Sequence, residues 1–306
     1  MIKKAINLFW TLRIIRRFSK KNRLIKIFSK LLSECLCVDI GASYFPHSNW
    51  KSFILSKKTT WLAIDPNSKN LNYIKSWKYP AKIIAIEEAL SKEGGEKNLY
   101  ISSTDSGSSL LPIDINYLHY DRVEKQNFIP VRERKIKTIG TEEIFVKYFK
   151  NQPVLLKLDT QGTELEILDG IKNFKEKKII SIEMECGLDS FPIYQGAAKF
   201  SDAQNKLEKL GYELLSMKVI NRQFDEDKID HTAKEIVSHC DAIFVLDRLE
   251  LKKRTKDELV ALLAFYVSNG FFLEAKNMIE NFDELKRYLQ SSPDYKTIIS
   301  LLRVKC

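Results

Sequence analysis

Short apolar runs that end on or near an acid, each followed by a polar turn, recur through the middle of the chain: CLCVDIGA at 35–42, TWLAID at 60–65, KIIAIE at 82–87, VLLKLD at 154–159 and IISIEME at 179–185. Helix-compatible stretches lie between them at 48–56, 69–77 and 164–171. Strands that alternate with helices predict an α/β fold with a parallel, doubly wound sheet. In such sheets ligands bind outside the carboxyl ends of the strands, where these acids stand. A helical stretch at 203–210 and extended stretches at 212–220 and 241–247, with a polar loop at 221–240 between the latter two, predict a closing strand pair. The interval 91–150 is too long for one crossover helix, and 98–102 and 128–139 read as extended, so an inserted hairpin is expected. Beyond Glu250 the pattern is helical throughout: Leu259, Leu262, Leu263 and Tyr266 mark one helix and Phe272, Ala275, Met278 and Ile279 another, a C-terminal helical hairpin.

The start of the chain has a different character. Leu24, Ile25, Ile27, Phe28, Leu31 and Leu32 fall on one side of a helical wheel, opposite Arg23, Lys26 and Lys30. Residues 1–33 hold ten of the 50 Lys and Arg and no acid, so the net charge of +10 belongs to this arm and the remaining 40 basic residues face 40 acidic ones. The chain therefore divides into a basic amphipathic helical arm at 1–33, a core domain at 34–250 and a helical appendage at 251–306. Two readings of the arm stand: a helix packed on the body with solvated cations, or peripheral attachment to an anionic membrane surface. A neutral body argues against a nucleic-acid partner. Five cysteines without a CxxC pair fit a reducing cytoplasm. The longest uninterrupted apolar run near the start, Leu8-Phe9-Trp10, is too short for a signal or a span. The expected location is cytoplasmic, with the inner membrane face as the place the arm would reach.

The candidate chemistry sits at the strand ends. Gly41 lets the backbone approach a ligand, but one glycine stands where a GxGxxG fingerprint has three, so a nucleoside without pyrophosphate is favoured over a dinucleotide. Asp65, 26 residues after Asp39, can accept both hydroxyls of a ribose. In LLKLDTQGTELEILDG at 155–170, Asp159 projects from a buried strand, Gly162 allows the turn and Glu164 opens the next helix. Asp159, His47 and Glu164 form the candidate catalytic set; His119, His231 and His239 read as loop residues. Asp159 and Glu183 end neighbouring strands in this topology, with Glu185 on the face of Glu183, an arrangement open to a Mg2+ ion. The alternative is that Glu183 bonds neighbouring backbone or a substrate hydroxyl.

Taken in order, VDIGAS at 38–43, AIDPN at 63–67, EEALS at 87–91, SGSSL at 106–110, the 155–170 stretch, SIEME at 181–185, PIYQG at 192–196 and DAIFV at 241–245 resemble the FkbM family of S-adenosylmethionine-dependent methyltransferases. The resemblance covers 34–250. It implies a class I methyltransferase fold, Rossmann-like, with a mostly parallel seven-stranded sheet whose last strand is antiparallel, and O-methylation of a sugar hydroxyl in a glycan or glycosylated metabolite. By motif position, Asp39, Gly41 and Ala42 would line the methionine part of S-adenosylmethionine, Asp65 its ribose and Glu87 its adenine edge, with Asp159 beside the transferring methyl. Two departures stand out: Ser43-Tyr44-Phe45-Pro46 replaces the family's Asn and second glycine, and Gln161 stands where a Glu is common. The competing classes are a nucleotide-dependent oxidoreductase, which the missing glycines disfavour, and a non-catalytic membrane adaptor on a methyltransferase-like core.

Overall fold

In a computed structural model the chain is described over residues 19–114, 128–188, 193–221 and 237–303. The first 18 residues of the basic arm, together with His119 and His231, lie outside these. A helix over 19–31 (α1) leads into β1 (Cys35–Ile40), which is followed by α2 (Lys51–Ile54), β2 (Thr59–Ile64), α3 (Ser68–Ser76) and β3 (Lys82–Ile86). The next three strands, β4 (Ala89–Ser91), β5 (Gly95–Ser102) and β6 (Pro130–Gly140), make a separate sheet in the order β4-β6-β5. The chain then returns through α4 (Thr141–Tyr148) to β7 (Val154–Leu158), α5 (Glu164–Asp169), β8 (Ile179–Gly187), α6 (Phe200–Lys209), β9 (Tyr212–Asn221) and β10 (Val237–Leu246).

The main sheet has seven strands in the order β3-β2-β1-β7-β8-β10-β9, and β10 runs antiparallel to both neighbours while the other pairings are parallel. This is the class I methyltransferase sheet that the motifs imply. The central strands are apolar on both faces, every residue of β1 being buried, as a parallel sheet covered by helices requires. The insertion that the sequence predicts as a hairpin is present as β5 and β6, and it recruits β4 as a third strand. The strand expected at 241–247 begins earlier, at Val237, so His239 lies in β10 rather than in a loop.

The two ends of the chain share the core of the sheet. Leu24, Ile25, Ile27, Phe28 and Leu32 are at most 6% exposed, whereas Arg23, Lys26 and Lys30 are exposed. For α1 the packed-helix reading therefore holds, and its apolar face is not free to enter a bilayer. At the other end α7 (Arg248–Leu251) precedes the expected hairpin, which is α8 (Lys256–Asn269) and α9 (Phe272–Asn281), extended by α10 (Asp283–Gln290) and α11 (Tyr295–Leu302). α8 is buried on all sides over Glu258–Ser268, since it lies among α2, β8, α9 and α10. It starts on a capping box between Thr255 and Glu258, stops at Gly270 with φ +82°, and is tied to α2 by the buried Ser52–Ser268 hydroxyl pair at 2.7 Å. The Tyr288 hydroxyl donates to the Leu31 carbonyl at 3.2 Å, which joins α10 to the end of α1.

Candidate functional site

A cavity of about 340 Å3, within the usual range for small-molecule sites, opens between the carboxyl ends of β1, β2, β3 and β7 and the three-stranded sheet. Gly41, Asp65, Asn67, Glu87 and Asp159 line it from the main sheet, and Leu99, Ile101, Arg132 and Arg134 line it from β5 and β6. Two of the carboxylates expected to hold a nucleoside, Asp65 and Glu87, thus share one wall with Gly41 and Asp159.

Asp65 directly follows β2. The Asn67 amide donates to its Oδ1 at 2.7 Å and Asn70 Nδ2 approaches the same oxygen at 3.5 Å, while Oδ2 takes no hydrogen bond among the described residues. Burial pushes its carboxyl up to about 6, against the hydrogen bonds that would lower it. A half-buried carboxylate with one oxygen free at a cavity wall is suited to a ligand diol. Asn67 caps α3 by accepting from the Lys69 amide at 3.0 Å, so the Asp65-Pro66-Asn67 turn is set by helix capping.

Gly41 has φ +78°, and a Cβ there would stand 1.8 Å from the Asp159 carbonyl oxygen. The tips of β1 and β7 approach so closely that only glycine fits. The Asp159 amide donates to the Ile40 carbonyl at 3.0 Å, and the Gly41 and Ala42 amides both donate to the Ile64 carbonyl. Ala42 is fully buried and does not line the cavity. The segment that replaces the family's Asn and second glycine turns through Tyr44 at φ 51° and sets the Tyr44 and Phe45 rings against Tyr73 of α3 and Trp77 just after it, with centroid distances of 5.4 to 5.7 Å.

Asp39 does not line the cavity either; at 1% exposure it lies behind it. Its Oδ2 accepts from Trp61 Nε1 at 3.2 Å, and its Oδ1 faces Lys157 Nζ at 3.3 Å. Lys157 Nζ is also 3.3 Å from Asp159 Oδ2, so one ammonium bridges two carboxylates. Burial by itself would lower the Lys157 ammonium, but Asp39 and Asp159 outweigh it and hold it above its ordinary value. Sequence reasoning missed this residue, although a lysine inside the buried run VLLKLD was the available signal.

The pairing of Asp159 with Glu183 around a Mg2+ ion is not assembled. Register explains why: Glu183 is paired with Lys157, so it stands below the level of Asp159. The cation beside Asp159 is Lys157, which it shares with Asp39 and not with Glu183. Glu183 accepts from Trp50 Nε1 at 2.7 Å, from Asn49 Nδ2, and pairs with His47 Nδ1 at 2.9 Å. Among the described residues no group of three or more His, Cys, Asp or Glu is placed to hold a metal. His47 lines neither this cavity nor the one described next; burial would lower its imidazole, but the hydrogen bond and charge of Glu183 raise it. Glu164 is 6% exposed and accepts from the Thr160 amide at 2.7 Å and the Gly162 amide at 3.0 Å, which fastens the turn after β7.

That turn separates two cavities. The second, of about 240 Å3, is lined by Gln161, Gly162, Glu164, Glu185, Tyr194 and His239 among others. Gln161, with φ 61°, donates through Nε2 to Asp159 Oδ1 at 3.0 Å and approaches Glu185 Oε1 at 3.5 Å. Its Oε1 is 2.9 Å from the Tyr194 hydroxyl. Burial, with Asp159 and Glu164 nearby, pushes the Glu185 carboxyl well up. Where a second carboxylate would repel Asp159, the amide of Gln161 bridges it to Glu185.

Comparison with known proteins accords with this geometry. The family description "Methyltransferase FkbM domain" matches residues 39–214. A hexuronic acid methyltransferase, AglP, of Haloferax volcanii is 24% identical over 211 residues, covering 67% of this chain and 79% of that protein. Two variants of the 16S rRNA (adenine(1408)-N(1))-methyltransferase of Catenulisporales acidiphilia are 12% identical, cover 74% of this chain and 91% and 94% of theirs, and superpose with a TM-score of 0.29, a likeness that carries no argument. With the matched region spanning more than half of its length and the sheet order, the strand-end carboxylates and the cavity between them in place, the chain belongs to the FkbM family of methyltransferases.

Proposed function

We propose that the protein is an S-adenosylmethionine-dependent O-methyltransferase that acts on a hydroxyl of a sugar, free or within a glycan. The observation that carries this is the Oδ2 of half-buried Asp65, without a hydrogen bond among the described residues, at the wall of the cavity shared with Gly41, Glu87 and Asp159. The residues present fit the cofactor: Asp65 would hold the ribose hydroxyls, Glu87 the adenine edge beside apolar Leu90 and Leu99, and Asp159 the region of the methionine. Bound S-adenosylmethionine supplies an electrophilic methyl group. The chain supplies position and exclusion of water, since β5 and β6 roof the cavity and the Lys157 bridge fixes the Asp159 carboxylate. A sugar acceptor is supported by the relative named for hexuronic acid.

The exposed cations of α1 support peripheral contact with an anionic membrane through charge alone, and four buried free thiols, Cys35, Cys37, Cys186 and Cys240, support a reducing cytoplasm. No helix among the described residues is long and apolar enough to cross a membrane.

Calorimetric titration with S-adenosylhomocysteine tests the central reading. The wild type binds, and Asp65→Ala weakens binding by about tenfold or more, the size of a lost charged hydrogen bond. A folded wild type that does not bind would leave the non-catalytic adaptor as the reading to pursue. Transfer of a labelled methyl group from S-adenosylmethionine to a panel of glycosides, with and without chelator, then tests O-methylation and any need for Mg2+.

A further inference from the structure

The body of the chain is neutral in sum, but its charge is unevenly laid. Residues 43–82 carry seven lysines, all exposed, against a single acid, Asp65, which lines the first cavity. The same stretch holds a cluster of aromatic rings at the surface: Phe45 is 53% exposed, Trp77 45% and Tyr73 39%. Tyr44 and Phe45 meet Tyr73 nearly at right angles, with interplanar angles of 80° and 87°, and Trp77 closes the cluster at 5.7 Å from Phe45 and 6.1 Å from Tyr73. Tyr73 and Trp77 stand one helical turn apart on the same side of α3 and its end, with Lys69 one turn before them. Contiguous exposed rings of this kind mark a surface that meets something other than water. The patch lies where Ser43-Tyr44-Phe45-Pro46 departs from the family pattern. It flanks the first cavity, whose lining includes Gly41, just before this segment, and Ser68, the first residue of α3.

We propose that this patch is a docking surface for an anionic lipid bilayer, with the rings of Phe45, Tyr73 and Trp77 entering the headgroup boundary and Lys69, Lys75 and Lys78 held at the lipid phosphates. It goes beyond the charge-only contact proposed for α1, and depends neither on that contact nor on methyl transfer. Three features select a bilayer. Tryptophan and tyrosine favour the boundary between headgroups and acyl chains, where the ring is apolar and the polar tip stays wet. Every cation of the stretch is a lysine, whose long stem lies along apolar surface while its ammonium reaches the phosphates. The rings close on one another at steep angles, so they form a blunt apolar knob rather than the parallel, spaced rings between which nucleic-acid bases stack. Docking there would hold the flank of the first cavity beside the membrane surface.

The test uses full-length protein and phosphatidylcholine vesicles, with and without phosphatidylserine, in which part of the acyl chains are brominated. Trp50 and Trp61 are fully buried whereas Trp77 is exposed, and the difference between wild type and Trp77→Phe isolates the emission of Trp77 from that of every other tryptophan. On vesicles with phosphatidylserine, bromine quenches that difference signal. Phe45→Ser with Trp77→Ser, both at the surface, leaves the melting temperature nearly unchanged and weakens vesicle sedimentation by about tenfold or more. Lys75→Glu with Lys78→Glu weakens it by about 30-fold, and only where phosphatidylserine is present. A Trp77 signal that bromine leaves untouched overturns the inference, as does wild-type sedimentation of the Phe45→Ser, Trp77→Ser protein, or a wild type that does not sediment with vesicles. A dimer that the same double variant turns into a monomer, without quenching, gives the patch to a second copy of the chain and overturns the inference equally.

Discussion

Asp65 shows how a residue of the proposed site can oppose stability. Its carboxyl rises from 3.8 to about 6 in the folded chain, chiefly through burial. Below 3.8 the group is protonated in folded and unfolded chains alike and costs nothing; between 3.8 and about 6 ionisation increasingly favours the unfolded chain; above 6 the full cost is present. Asp65→Asn is therefore expected to stabilise the protein at pH 8 by up to about 3 kcal/mol, to change nothing at pH 3, and to weaken S-adenosylhomocysteine binding. Urea unfolding at both pH values reads the first two effects, and equal stability of the two proteins at pH 8 would refute them. Lys157 is the converse case. Lys157→Met would strand Asp39 as an unpaired buried carboxylate, at about 3–5 kcal/mol, and denaturation at pH 7 measures that loss.

At the scale of elements, the site depends on how closely β1 and β7 approach. Gly41→Ala would place a methyl group 1.8 Å from the Asp159 carbonyl in a backbone with φ +78°, so the two strand tips would have to separate. A loss of more than about 3 kcal/mol, or failure to fold, is expected from strain and lost strand packing together; a melting temperature within a degree of wild type would show that the tips can give way. The roof has an equally local cause. β4 extends the β5–β6 hairpin into a sheet through Ala89–Ser91, and the Ser91 and Thr138 hydroxyls meet at 2.8 Å between β4 and β6. That places Leu99, Ile101, Arg132 and Arg134 over the strand ends without a helix to carry them.

For the whole molecule, charge and core divide α1 lengthwise. Leu24, Phe28 and Leu32 are fully buried, and burial of each stabilises the fold by about 1.5–3 kcal/mol. Deleting residues 1–33 would therefore open the core and confuse membrane binding with unfolding. Reversal of the exposed charges avoids this: Arg23→Glu, Lys26→Glu and Lys30→Glu together should leave the melting temperature nearly unchanged. The same variant should weaken sedimentation with phosphatidylserine vesicles by about 100-fold, at about 1 kcal/mol for each basic residue. Unaltered vesicle binding would exclude α1 as the contact.

The sequence by itself determined what depends on local pattern: strands from apolar runs, turns from Gly41 and Gly162, the parallel sheet from alternation, and the placing of Asp65, Glu87 and Asp159 at strand ends, because strand direction and carboxyl-end binding follow from order along the chain. The tertiary structure decided what depends on register and on which faces meet. A two-residue step between β7 and β8 separates Glu183 from Asp159 and gives Glu183 to His47 and Trp50, a difference invisible to a period of two. Ala42 and Asp39 lie in the core and behind the cavity because β2 and β7 close over them. Gln161 meets Glu185 and Tyr194 across 24 and 33 residues of chain, and only packing could bring their polar atoms within hydrogen-bond reach.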